Sequence, residues 1–147
     1  TFTGTITTSD TTDASAYNSA SIVVTGGLGV AKLIRTNSSI YDSKGEIRRL
    51  PQNAQTSAYT LVVGDAGKHI SITTGGVTVP ASVFSIGDSI AIYNNSGSNQ
   101  TITQGSGVTM YLVGTATTGN RTLSQRGLAT LICVDTNTFV ITGGGLV

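Results

Sequence analysis

"KHISITTGGVTVP", residues 68–80, is the stretch on which the fold reading turns. Its first half alternates, with Ile70 and Ile72 on one face of an extended chain and His69, Ser71 and Thr73 on the other. Successive side chains of a strand point to opposite faces, so this period of two marks a strand with one buried face. The glycines at 75 and 76 turn the chain. "VTVP" then reads as a second strand ending at Pro80, whose missing N–H confines it to a strand end or an edge.

The same period continues outward from this stretch. "YTLVV" (59–63) precedes it, with a turn at "GDAG" between, and "SIAIYNN" (89–95), "QTITQ" (100–104), "VTMYLV" (108–113), "LATLICV" (128–134) and "TFVITG" (138–143) follow. About eight short strands separated by Gly, Asn and Ser clusters predict an all-β domain over residues 51–147, an antiparallel β-sandwich of jelly-roll type. Shared parity places Ile70, Ile72, Val79, Ile90, Ile92, Ile102, Met110, Leu131 and Phe139 inside. "ASVFSIGD" reads as a connection whose Val83, Phe84 and Ile86 cover an open end of that core.

Residues 1–50 read differently, as an extended N-terminal β arm or connector. Their two apolar runs, Ile22–Val24 and Val30–Ile34, are too short to build a core alone. Ordering them costs about 1–2 kcal/mol per residue, so completion by neighbouring chains is expected. The chain opens on Thr1 without Met and reads as a segment of something longer.

Composition narrows the function classes. Only 10% of the 147 residues are charged, against about 25% in an ordinary domain, and Thr, Ser and 19 glycines take their place. A net charge of +1 supplies no field to gather nucleic acid or an anionic membrane surface, so neither is an expected partner. No apolar run approaches the ~18 residues of a membrane helix.

Candidate chemistry is sparse, and no cofactor, metal or catalytic set is predicted. Cys133, the single cysteine, reads as a small buried hydrophobe, and His69, the single histidine, as a surface imidazole. "GGLGVAKLI" (26–34) lacks the G-x-G-x-x-G spacing of a dinucleotide fold, and "GDAGKH" (64–69) lacks the rest of a phosphate-loop motif. Asp65, Asp88 and Asp135 stand at turns, where a carboxylate commonly bonds local backbone. Tyr93 and Tyr111 fall on outward parity beside Thr, Ser and amides, which makes them candidate glycan or interface contacts. Lys32, Arg35, Lys44, Arg48 and Arg49 form a basic cluster, a candidate contact with a capsid or another partner.

Several motifs resemble a β-rich module of bacteriophage virion proteins, notably tail fibres. They are Y-T-L with D-A-G-K at 59–68, V-T-V-P at 77–80, F-S-I-G-D at 84–88, G-S-G-V-T at 105–109, and G-L-A-T-L with T-F-V-I-T-G near the end. The stretch "SDTTDASAYNSASIVVTGGLGVAKLI" similarly resembles a connector of cyanobacterial phage structural proteins. The resemblance implies a non-enzymatic virion protein at the particle surface: a homotrimeric fibre or adhesion module that contacts other virion proteins and host surface polysaccharide. The alternative it implies is a capsid decoration protein held to the shell by the N-terminal arm. A depolymerase of the β-helix kind is disfavoured by the short chain.

Overall fold

In a computed structural model of the chain, Ile70 and Ile72 are fully buried on strand β5 (His69–Ile72), as their alternation requires. The structure describes residues 49–147 throughout and, before them, residues 26, 28–31, 34, 36, 40–42 and 45–47. The chain divides into two units, Thr1–Asn37 and Ser38–Val147. The expected arm therefore lies mostly outside the described residues.

The second unit begins with a small hairpin, β1 (Tyr41–Asp42) and β2 (Gly45–Glu46). The chain then winds in three laps. Each lap contributes one strand to a first leg and one to a second: β3 (Gln52–Gln55) then β4 (Tyr59–Thr60), β5 then β6 (Val77–Val79), and β7 (Ser89–Asn94) then β8 (Gln100–Gln104). Strands β3, β5 and β7 pair in parallel, as do β4, β6 and β8. After β9 (Thr109–Leu112), the strand β10 (Arg121–Asp135) runs antiparallel across both legs, its Arg121–Leu123 segment on β8 and its Leu128–Ile132 segment on β7. A final strand, β11 (Thr138–Leu146), returns antiparallel to β10 and pairs in parallel with β9. The result is one nine-stranded sheet, all-β and nearly closed, around a single core.

All nine residues assigned to the core by parity are buried, each at most 1% exposed. The pairing departs from the expected antiparallel sandwich: five ladders of the large sheet are parallel and three antiparallel. Alternation fixes which side chains face inward and is blind to strand direction. The Gly75–Gly76 turn is a corner between legs, since β5 and β6 pair with β7 and β8 and not with each other. Two further expectations change. Phe84 packs edge-on against Phe139, with ring centroids 6.1 Å apart, but Ile86 is 68% exposed and covers nothing. "QNAQ", which has no apolar signal, forms β3.

Amide side chains hold the corners. Asn94, fully buried, donates from Nδ2 to the carbonyls of Ser98, Leu123 and Ser124, and its Oδ1 accepts from the N–H and hydroxyl of Ser96. The Gln100 Oε1 accepts from Gly76 N at 3.0 Å, while its Nε2 donates to Thr73 O and Ser96 Oγ. These bonds satisfy backbone groups that the ladders leave over where the chain bends. The turn itself needs its glycines. Gly75 and Gly76 have φ of 85° and 71°, and a Cβ on either would run into backbone of the adjacent laps, at Ala58 and at Thr101 respectively.

Replacing Gly76 by Ala therefore combines a left-handed backbone with a clash against Thr101. The expected loss is about 3 kcal/mol of folding stability, read by urea denaturation. An unchanged midpoint would show that the laps are not stacked this closely.

Candidate interaction surface

The outward positions of β7, β10, β11 and β9 form a grid whose rows follow from the registers. Ser89, Ile132, Val140 and Tyr111 stand level in one row, and Ala91, Thr130 and Thr142 in the next. Val113 borders that second row through its N–H bond to Ile141 O at 3.0 Å. Tyr93 and Leu128 share a third row. Leu128, Ile132 and Val134 are 51%, 42% and 44% exposed, although each belongs to a core-forming strand. The inward partners Ala129, Leu131 and Cys133 are buried on the opposite face.

The candidate tyrosines both belong to this grid. Tyr93 is half-buried and Tyr111 exposed. They lie four residues apart along β10 and three strands apart across the sheet, roughly 20 Å at about 3.3 Å per residue and 4.8 Å per strand. They are therefore not one stacking platform for a sugar ring. They mark two corners of the same face.

Of the basic cluster, Lys32, Arg35, Lys44 and Arg48 lie outside the described residues. Arg49 is described, with its side chain 78% exposed and its Nε 2.8 Å from the Glu46 carboxylate. That pair borders an open groove of about 400 Å³ lined also by Tyr41, Leu50, Pro51 and Gln52, between the β1–β2 hairpin and the start of β3.

Titratable groups elsewhere are tied into structure. Asp65, 1% exposed, receives Asn53 Nδ2 at 2.8 Å, Tyr59 OH at 2.9 Å and Val62 N at 2.9 Å. Gln55 in turn donates to Asn53 Oδ1. This network plugs the polar end of the core beneath the first lap. Sequence reading assigned Asp65 a local turn bond; the Val62 contact is that bond, and the other two tie the turn to β3 and β4. Burial, and then the hydrogen bond to Asp65, raise the Tyr59 phenol above its ordinary pKa. Burial and the nearby Asp88 do the same for Cys133, whose Sγ lies 3.4 Å from Asp135 O. His69 is half-buried, its Nδ1 3.1 Å from Leu50 O. Asp88 and Asp135 accept local backbone N–H bonds from Ser85 and Thr136, as turn carboxylates do. Among the described residues no group of three or more His, Cys, Asp or Glu side chains is arranged to hold a metal ion.

Compared with protein-family models and with curated protein sequences, the chain matches none. The resemblance to phage virion modules thus rests on the motifs quoted above. In the structure the motifs from residue 59 onward occupy turns and core strands: D-A-G-K closes the turn before β5, V-T-V-P spans β6, and T-F-V-I-T-G opens β11; the connector stretch lies mostly outside the described residues.

A raised Tyr59 pKa means that the folded protein keeps the phenol proton where the unfolded chain loses it. Its stabilising contribution is present below the ordinary value of 10.0 and is lost as pH rises through the higher folded value. Alkaline titration of phenolate absorbance, wild type minus Tyr59→Phe, is expected to place the missing step above pH 10.0. A step complete by that pH contradicts the assignment.

Proposed function

We propose that this chain is a non-enzymatic structural protein of a bacteriophage particle, a fibre or adhesion module displayed at the particle surface. The observation that carries this reading is the set of virion-like motifs between residues 59 and 143, which lie at turns and core strands of an all-β fold. Its chemistry suits the role. Corners are closed by Asn94 and Gln100 and the outer positions are filled by threonine and aliphatic side chains, so solubility and shape depend little on charge. In this reading three copies gather through residues 1–50, whose apolar runs find partners in neighbouring chains, and other virion proteins anchor the assembly. Host surface polysaccharide is the proposed external ligand.

The second reading, a capsid decoration protein, draws on the basic cluster at residues 32–49, which meets acidic shell surface. Immunogold electron microscopy of purified phage particles, with antibody raised against the chain, tests both. Label at the tail is the expected result for the fibre, and label over the shell would favour the decoration role. Particles that carry none of the chain by mass spectrometry would overturn the virion reading altogether.

A further inference from the structure

The grid on β7, β10, β11 and β9 has two properties that together specify what covers it. First, no outward side chain within it is charged; its rows are aliphatic, aromatic or hydroxyl-bearing (Ser89, Thr130 and Thr142). Four strands about 4.8 Å apart and six residues of about 3.3 Å give roughly 400 Å² in projection. That is within the ~300–600 Å² of the largest apolar patch on a typical monomer. Second, its two ends carry opposite charge. Arg126, at the bulge of β10 with φ of 58°, stands at the Tyr93–Leu128 end and donates to Asn95 Oδ1 at 2.7 Å. Asp135 and Asp88 stand at the opposite end, beyond Val134 and Ser89, each accepting a local backbone N–H. Among the described residues none of the three is in an ion pair.

We propose that this face is covered by a second copy of the chain, sheet against sheet, with the strands of the two copies antiparallel. A twofold axis between the faces lays the uncharged centre of one copy on the same centre of the other, so no charge is stripped of water. The same operation brings Arg126 of each copy over the acidic end of its partner. A parallel arrangement would stack like charge on like. Side chains of Ile132, Val140 and Tyr111 interdigitate across the ~10 Å spacing of packed sheets. With its rim, each copy contributes toward the ~600 Å² that the smallest stable interfaces take from each partner. Sheet-on-sheet packing, expected within one chain from the sequence, is here made between chains. Nucleic acid and anionic membrane fit poorly, because the grid itself presents no cation.

This inference rests on reading the chain as a self-assembling structural module but stands apart from the trimer attributed to residues 1–50, since the contact is on the barrel. The test is sedimentation of the full chain over a concentration series. Wild type is expected to associate in even numbers, two copies or six where the arms also gather three. Ile132→Lys, at an exposed position, should raise the dissociation constant about tenfold or more, with the thermal melt unchanged at a dilution where both proteins are monomeric. Thr101→Lys, the same charge at an exposed position of β8 outside the grid, should leave it within about twofold. Arg126→Glu should weaken association about two- to fivefold, and adding Asp135→Lys should recover it, because exposed rim pairs set orientation. A chain that does not associate in even numbers by about 1 mM, an association indifferent to Ile132→Lys, or a double reversal that recovers nothing would each overturn the proposal. Phage particles that lack the chain would end the virion reading and leave this result standing.

Discussion

Two parallel legs that share no ladder with one another are joined into a single sheet by one strand. β10 pairs with β8 over Arg121–Leu123 and with β7 over Leu128–Ile132, and between these segments it breaks register at the bulge around Arg126. Without the bulge a straight strand could follow only one leg. The extra twist that a bulge brings lets the same backbone follow both as the sheet curls around its core. Leu123, Ala129 and Leu131 then point inward from the two halves into one cluster with Ile70, Ile92 and Ile102. The core is therefore a consequence of the β10 ladder as much as of the alternation on each leg.

Stacked laps impose a second constraint, because every corner leaves backbone groups that no ladder can satisfy. Here side-chain amides take that duty. Asn94 serves the third corner and the bulge, Gln100 ties the second corner to the third, and the Gln104 Oε1 accepts from both Met110 N and Gly119 N. The low charge of the chain follows from this arrangement. Interior polar groups are paired by neutral amides, which cost less to bury than ions. The exceptions among the described residues are Asp65, whose carboxylate accepts from Asn53, Tyr59 and Val62, and Arg121, 7% exposed, whose guanidinium is held by the carbonyls of Asn120 and Thr117 while its Nε has no protein partner.

Much of the core was legible in the sequence because "KHISIT" and "SIAIYNN" alternate cleanly, and alternation is a statement about faces. Strand direction was not, since Ile70 opposite Ile92 looks the same in either sense. β3 was invisible because Asn53 and Gln55 face a polar plug built on Asp65, an environment that only the fold creates. The outer grid was half legible. Tyr93 and Tyr111 announced it as aromatics on outward parity. In "LATLICV", however, the apolar residues occupy both parities, and the exposure of Leu128, Ile132 and Val134 emerges only from the register.

The account depends most on the parallel stacking of laps beneath β10, which positions both the corner amides and the outer grid. Backbone NOEs between β5 and β7 in isotope-labelled protein read that stacking directly. The predicted pairs rise together, with Ile70 level with Ile92 and Ile72 level with Asn94, and no close Hα–Hα pairs link the two strands. Strong Hα–Hα contacts, with residue numbers rising on one strand as they fall on the other, would contradict it.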